Sequence, residues 1–155
     1  MTKVVAITGA SNGMGFAAAE LFAKKGWIVY GGARRVEKIP VSENIHALKL
    51  DVTDHDSNVA FIKQIMATEQ GIDVLINNAG IFPVKTFSAM TLDDWKAVID
   101  IDLTGTFIAT HAVYKVLEKQ KRGKIINVAS IAGRVGGLGF THYSAAKGGV
   151  IAFTK

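Results

Sequence analysis

The chain of 155 residues is long enough for one domain with a hydrophobic core, and it is 49% hydrophobic and 20% charged. This balance suits a sheet buried on both faces and argues against a disordered chain. A formal charge of +5 leaves a nucleic-acid partner open, whereas zero cysteines exclude disulfides and thiolate metal sites, and no apolar run reaches the roughly 18 residues of a membrane span.

The first predicted elements are a strand, a glycine-rich turn and a helix. The run KVVAIT is apolar and β-branched, as is typical of a buried parallel strand. The turn TGASNGMG, Thr8 to Gly15, leads into FAAAELFAKKG, whose apolar residues recur at helical spacing until Gly26. Glycines let a backbone approach a pyrophosphate, whose charge the free amides of a helix N-terminus attract. We therefore predict a nucleotide site, although the glycine spacing departs from GxGxxG and a bare turn remains an alternative.

The later elements alternate between strands and helices. Strands are predicted at Trp27 to Gly32, at His46 to Val52 and in KIINVAS, which ends at Ser130. The segment Asp73 to Gly80 is predicted as a strand that runs into a loop. Helices are predicted from a Thr53 cap to about Glu69, from Thr91 with Asp94 to about Lys121 with a possible interruption near Gly105, and around Tyr143. Glycines at 133, 136, 137 and 139 predict a mobile loop before that last helix. This alternation implies one α/β domain with a parallel sheet covered on both faces.

Tyr143 and Lys147 stand four residues apart in YSAAK, with Ser130 thirteen positions upstream. On a helix, the phenol and the ammonium would project from one face. A neighbouring ammonium stabilises a phenolate and lets the phenol act as a general acid and base, while a serine hydroxyl can hydrogen-bond a carbonyl oxygen. The same spacing also occurs on solvated helix faces, so this pair alone leaves both interpretations open.

Together these motifs resemble the short-chain dehydrogenase/reductase family. The matching pieces are TGASNGMG, the pair Asp51 and Val52, NNAG at Asn77 to Gly80, Ser130, and Tyr143 with Lys147. The resemblance implies a Rossmann-type doubly wound parallel sheet, a nicotinamide cofactor that supplies hydride, and a small-molecule carbonyl or alcohol substrate. It also implies homo-oligomers packed through the helix before Lys121 and the tyrosine helix.

The resemblance assigns roles to individual residues. Tyr143 is the catalytic acid and base, Ser130 positions the substrate oxygen, and Lys147 supports the tyrosine and binds the nicotinamide ribose. Asp51 contacts the adenine edge, although its position also suits a cap at a strand end. Thr8 and Asn78 stabilise the central sheet beside the cofactor. The predicted cofactor residues are Thr8, Gly9, Ser11, Asn12, Gly13, Met14, Gly15, Arg34, Arg35, Asp51, Val52, Asn78, Ala79, Gly80, Tyr143 and Lys147.

The charges that follow the second strand bear on the choice of cofactor. Rossmann domains that bind NAD place an acidic residue near this point to accept hydrogen bonds from the ribose, whereas a 2'-phosphate needs cations. Here Ala33 is followed by Arg34 and Arg35. The sequence therefore predicts NADP(H) as the preferred cofactor, with NAD(H) binding comparably if both arginines are only solvated.

Asp102 departs from the family pattern, because the family usually carries an asparagine there that completes a catalytic tetrad and helps to hold a water beside the lysine. A carboxylate can accept a hydrogen bond from that water but cannot donate one as an amide does. Its charge would favour a protonated Lys147 and offset part of the cationic field on Tyr143. We predict slower turnover with the same chemistry.

The family resemblance also implies further strands and helices after the tyrosine helix. We therefore expect a C-terminally truncated Rossmann domain over 1–155, whether a partial record, a subunit completed by another polypeptide or a degenerate product. Truncation would leave Ile125 and Ile126 on an open sheet edge. The alternative to an active oxidoreductase is a module that binds the cofactor without catalysis.

Two other partners receive little support from the sequence. The run KQKRGK, Lys119 to Lys124, could contact nucleic acid, but cations at a helix end also complement the helix dipole, and we expect no nucleic-acid partner. His46, His55, His111 and His142 are too scattered to predict a metal site, and only His142 lies near the proposed chemistry. An N-terminus used as a strand and the lack of a membrane span predict a cytoplasmic protein.

Overall fold

Five parallel strands form one sheet in the computed structural model, which describes residues 2–155. The strands are β1 Val4–Thr8, β2 Ile28–Ala33, β3 Ile45–Lys49, β4 Val74–Asn77 and β5 Lys124–Asn127. Their spatial order is β3-β2-β1-β4-β5, and every neighbouring pair is parallel. The chain thus winds outward to β3 and returns beside β1, which confirms the predicted doubly wound Rossmann-type architecture.

Six α-helices accompany the strands within the described residues, with two short 3-10 helices at Val36–Lys38 and Phe87–Ala89. The α-helices are α1 Gly13–Lys24, α2 His55–Thr68, α3 Leu92–Ile99, α4 Gly105–Gln120, α5 Ala132–Val135 and α6 Thr141–Phe153. A π-helical turn, Asp100–Thr104, joins α3 to α4. The interruption considered near Gly105 therefore takes the form of a widened helical turn that ends immediately before this glycine.

Alternating side chains of the central strand enter two cores on opposite faces of the sheet. Val4 and Ala6 pack with Phe61 and Ile65 of α2 and with Val113 of α4. The intervening residues pack on the other face with α1, in a cluster that includes Val5, Ile7, Ala19, Val29 and Ile76. Because β1 is buried on both faces, its residues are apolar without the alternation of a half-exposed strand, as expected for a parallel sheet.

The start of α2 differs from the sequence prediction by one residue. The helix cap is Asp54, whose Oδ1 accepts a hydrogen bond from the Asp56 amide at 3.0 Å, and the prediction of Thr53 was wrong. Thr53 instead donates from its amide and its hydroxyl to Asp51 Oδ1, at 3.0 and 2.8 Å. Both residues are good helix caps, so the choice depended on a local contact that spacing does not reveal.

The start of α3 is confirmed as predicted. Thr91 Oγ1 accepts from the Asp94 amide at 3.2 Å, and Asp94 Oδ2 accepts from the Thr91 amide at 2.8 Å. This reciprocal capping box sets the direction in which the chain enters α3, the π-helical turn and α4. The glycine-rich segment predicted as a loop contains the short helix α5.

At one side of the sheet, β5 pairs with β4 and with no other strand of residues 2–155. Ile126 is exposed there and Ile125 is partly buried. Across the same residues, none of the helices combines the length and apolar character that a bilayer crossing requires.

Candidate active site

A cleft of about 380 Å³ opens at the carboxyl ends of β1, β2 and β4, where the winding direction of the sheet reverses. Open α/β sheets bind ligands at this switch point. The cleft is lined by Gly9, Ser11, Asn12, Gly13, Met14, Gly32, Ala33, Arg34, Arg35, Leu50, Asp51, Val52, Asn78, Ala79, Gly80, Ile81 and Ile101. It thus gathers most of the predicted cofactor residues, which are distant from one another in the sequence.

The glycine turn before α1 is packed tightly against the chain that follows β4. The amides of Gly9 and Ala10 donate to the Gly32 carbonyl at 2.8 and 3.2 Å, which anchors the turn to β2. A Cβ atom on Gly15 would lie 2.3 Å from the Gly9 carbonyl oxygen and 2.4 Å from Asn78 Nδ2. Because a protein backbone cannot yield at such distances, Gly15 admits no side chain.

Thr8 and Asn78 hold that turn and the end of β4 together. Thr8 Oγ1 accepts hydrogen bonds from the amides of Asn78 and Ala79 at 3.1 and 3.0 Å. Asn78 Nδ2 donates to the carbonyls of Thr8 and Gly9, both at 3.1 Å. Thr8 is buried, so its side chain supports the floor of the cleft from behind.

Arg34 and Arg35 are exposed at the end of β2, where both line the cleft. Asp51, at the end of β3, accepts both hydrogen bonds from Thr53. The pKa of the Asp51 carboxyl is lowered, chiefly by the hydrogen bond from the Thr53 hydroxyl and further by the charges of Arg34 and Lys49. The Asp51 carboxyl therefore caps the chain after β3, which is the second of the two roles that the sequence allowed. Asp51 also lines the cleft.

These residues fit a dinucleotide. A Cβ atom on Gly13 would have no neighbour within 4 Å. The space in front of the first backbone amides of α1 is therefore open to a ligand. The Asn12 side chain accepts from the Gly13 amide at 2.8 Å, and a phosphate oxygen could take that place. The glycine turn would hold a pyrophosphate, and Arg34 and Arg35 would hold a ribose phosphate.

Tyr143 and Lys147 lie on α6, one helical turn apart. The Lys147 side chain is almost completely buried, and its Nζ lies 5.7 Å from the centre of the Tyr143 ring. Nζ donates to the Val128 carbonyl at 2.9 Å, just beyond β5. The pair is thus built into the protein, which contradicts the interpretation of a solvated helix face.

Asp102 lies in the π-helical turn with 0% of its surface exposed. Its Oδ1 accepts from the Ile81 amide at 2.8 Å, and its Oδ2 forms an ion pair with Lys147 Nζ at 3.6 Å. Burial raises the pKa of the Asp102 carboxyl above its usual range, although the Ile81 amide and Lys147 act against this. Since Ile81 also lines the cleft, Asp102 joins the cleft to the Lys147 ammonium.

Ser130 lies in the loop after β5, where it is hydrogen-bonded to the first residues of α5. Its carbonyl accepts from the Gly133 amide at 3.0 Å, and its Oγ accepts from the Ala132 amide at 3.2 Å. A Cβ atom on Gly133 would lie 2.5 Å from the Lys147 carbonyl carbon, so the two backbones are in close contact. Through α5, Ser130 is therefore connected to the helix that carries Tyr143 and Lys147.

Sequence reasoning missed several residues of the site. Ile81 and Ile101 line the cleft, and the Phe82 ring meets the Tyr143 ring edge-on, with 4.6 Å between the ring centres. Ile81 and Phe82 follow NNAG directly in the chain, so their position after a strand end was the available signal.

The fold and the site define an α/β protein of the dinucleotide-binding type with an adjoining tyrosine and lysine. The family model described as short chain dehydrogenase matches residues 3–155, and the chain belongs to this family.

Curated and structural relatives agree with this membership. The chain is 43% identical to a 3-oxoacyl-[acyl-carrier-protein] reductase of Synechocystis, with 99% of this chain and 66% of the relative covered. It is 40% identical to an acetoacetyl-CoA reductase of Paracoccus denitrificans, with 100% and 66% covered. A crystal structure of a short-chain dehydrogenase from Streptomyces avermitilis superposes with a TM-score of 0.93 at 30% identity, over 99% of this chain and 58% of that one. The chain thus spans about two thirds of the length of these curated relatives.

Proposed function

We propose that this chain carries the cofactor-binding and acid–base parts of an NADP(H)-dependent oxidoreductase that interconverts a carbonyl and an alcohol. One observation carries the proposal. Through Ile81 and Asp102, a glycine-walled cleft with two arginines is connected to a buried lysine beside Tyr143. The names of the two curated relatives, both reductases of oxo compounds, support reduction as the reaction class.

The bound nicotinamide would supply or accept the hydride at the reacting carbon. In the direction of reduction, the Tyr143 hydroxyl donates its proton to the carbonyl oxygen, and the Ser130 hydroxyl hydrogen-bonds the same oxygen. The Lys147 charge stabilises the phenolate that remains. The proton and the hydride together convert the carbonyl to an alcohol, and the reverse steps oxidise it.

Consumption of NADPH in the presence of simple ketones tests the proposal. We expect turnover that depends on both NADPH and ketone, and that falls by about a hundredfold or more when Tyr143 is changed to phenylalanine. Binding of NADPH without reduction of any ketone would favour the inactive cofactor-binding module instead.

Arg34→Ala tests the proposed preference for NADP(H). Removing a cation from the cleft should weaken NADPH binding by tenfold or more, about 1.4 kcal/mol, and NADH binding much less, because only NADPH carries the 2'-phosphate. Titration calorimetry with each cofactor measures both effects. Arg134→Ala is the matched control, since that exposed arginine on α5 does not line the cleft. Equal losses of NADPH and NADH affinity would contradict the assignment.

Asp102→Asn should raise turnover by about threefold, which corresponds to roughly 0.7 kcal/mol of transition-state stabilisation. The amide keeps an oxygen to accept from Ile81 but removes the negative charge that partly offsets the Lys147 cation. Steady-state kinetics at saturating NADPH measure the change. A lower turnover would show that the carboxylate itself is required.

The same substitution should change how stability depends on pH. Because the native pKa of Asp102 is raised, the native state binds more protons than the unfolded state between the unfolded and native pKa values. This group therefore lowers the free energy of unfolding as pH rises through that window. The stability of Asp102→Asn relative to the parent should therefore increase as pH rises above about 4, the pKa of the unfolded carboxyl. Urea unfolding of both proteins across this range measures the difference, and a constant difference would refute the expectation.

We further propose a cytoplasmic protein that acts on a small molecule and assembles as a homo-oligomer through α4 and α6. Exposed aromatic side chains on α4, Phe107 and Tyr114, support an interface there. Sedimentation of the purified chain measures the assembly.

A further inference from the structure

Two loops beside Tyr143 carry an exposed apolar surface, which we call the apolar rim. It consists of Phe82 and Val84, between β4 and α3, and Leu138 and Phe140, between α5 and α6. Leu138 is 97% exposed and Phe82 54%, while Phe140 is partly buried. Exposed hydrocarbon next to a chemically active group is characteristic of ligand sites, because a ligand that covers it removes apolar surface from water.

Backbone contacts fix the two loops against each other. The Lys85 amide donates to the Gly139 carbonyl at 2.6 Å. Gly139 has a φ of +79°, and a Cβ atom on it would lie 3.2 Å from a methyl group of Val84. A backbone hydrogen bond therefore holds the two loops of the rim together, independently of the contacts between their aromatic rings.

The aromatic side chains continue from this junction to the catalytic tyrosine. A Cβ atom on Gly137 would lie 2.0 Å from the Phe140 ring, so the ring occupies space that only a glycine leaves open. The centres of the Phe140 and Phe82 rings are 5.4 Å apart, and those of Phe82 and Tyr143 are 4.6 Å apart. A substrate whose carbonyl oxygen reaches Tyr143 would place its neighbouring group against Phe82.

The charges of the two loops give little basis for recognising a charged group at the rim. Lys85 is paired with Asp94 at 2.6 Å, and this pairing lowers the pKa of the Asp94 carboxyl. The exposed Arg134 lies on α5, outside the two loops that form the rim. The four side chains of the rim are hydrocarbon, and the Lys147 ammonium that lies 5.7 Å from the centre of the Tyr143 ring is buried.

We propose that the apolar rim determines specificity, and that it selects carbonyl compounds with an apolar body, a ring or a hydrocarbon chain, attached to the reacting carbon. This inference rests on the proposed function and adds a substrate class to it. Phe82 is its central residue, because it contacts both Tyr143 and Phe140.

A series of methyl ketones tests the proposal. With NADPH saturating, kcat/KM should rise from acetone to 2-octanone and to cyclohexyl methyl ketone, by up to about fourfold for each methylene that becomes fully buried. The chain and the ring compounds show which shape of apolar body is preferred. Equal kcat/KM values across the series would overturn the proposal while leaving the proposed reaction intact.

Variants locate the effect on the rim. Phe82→Ala should reduce the advantage of cyclohexyl methyl ketone over acetone at least tenfold, mainly through KM, and Phe82→Leu should restore part of it. Leu21→Ala is the control, since this apolar side chain is as exposed as Phe82, at 54%, but lies on α1. Equal effects of Phe82→Ala and Leu21→Ala would overturn the assignment.

If no ketone is reduced, calorimetric titration of cyclohexyl methyl ketone still tests whether the apolar rim binds an apolar carbonyl compound. The titration uses the parent chain and Phe82→Ala, with and without NADPH, whose own binding is measured separately. Tighter binding to the parent chain supports the rim, whether or not the cofactor binds. No binding to the parent chain, or equal binding to both proteins, overturns the rim, whereas failure of NADPH to bind counts only against the proposed function.

Discussion

Gly15→Ala is expected to destroy the cofactor site and to lower the free energy of unfolding by about 3 kcal/mol or more. The added methyl group would lie 2.3 Å from the Gly9 carbonyl oxygen, so the glycine turn would have to move away from Asn78 and α1. Since the same turn lines the cleft proposed for the cofactor, stability and cofactor binding should be lost together. Urea unfolding, with and without NADPH, measures both losses.

Gly136→Ala is the control for this substitution. Gly15 is limited by space and not by a positive φ, whereas Gly136 has a positive φ, +70°, and a Cβ atom there has no neighbour within 4 Å. Its φ and ψ of +70° and −169° are open almost only to glycine, so its replacement should cost roughly 1–3 kcal/mol in backbone strain and preserve the response to NADPH. If Gly15→Ala bound NADPH as the parent does, the phosphate site would have to lie elsewhere.

Tyr143→Phe is expected to lower kcat/KM for ketone reduction by a factor of about 10² to 10⁴, because it removes the proton donor and leaves the ring in place. The contact with Phe82 uses the ring and not the hydroxyl, so the fold should be unchanged. Initial rates of NADPH consumption give the loss of activity, and calorimetry gives NADPH affinity, which should change far less.

Tyr114→Phe provides the matched control for the loss of a tyrosine hydroxyl. Tyr114 is exposed on α4, where its hydroxyl donates to Glu118 at 3.2 Å. This variant should retain full activity. If Tyr143→Phe retained it as well, another group would have to donate the proton.

The fold could be predicted from the sequence because its signals are local. In β1 and α1, an apolar run, a glycine turn and a helical pattern follow one another, and each limits the conformation of its own segment. The cap of α2 could not be predicted at the level of one residue. Thr53 and Asp54 are both suitable caps, and the hydrogen bond from Thr53 to Asp51 distinguishes them.

The candidate site was predictable in part for the same reason. Gly9, Arg34 and Asp51 follow three different strands, and parallel strands bring their carboxyl ends to one edge. No comparable rule predicts the apolar rim from the sequence, because Phe82 and Phe140 lie on irregular loops. Their contact depends on the Lys85 hydrogen bond to Gly139 and on the space left by Gly137, which only the folded chain reveals.

Thermal unfolding of the purified chain with NADPH and with NADH tests the central claim most directly. A ligand at about 100 times its dissociation constant adds roughly 2.7 kcal/mol of stability, which should raise the midpoint of a domain of this size by several degrees. We predict a cooperative transition whose midpoint rises with both cofactors and rises more with NADPH. No shift with either cofactor would contradict a dinucleotide site in the cleft, and a larger shift with NADH would contradict the role given to Arg34 and Arg35.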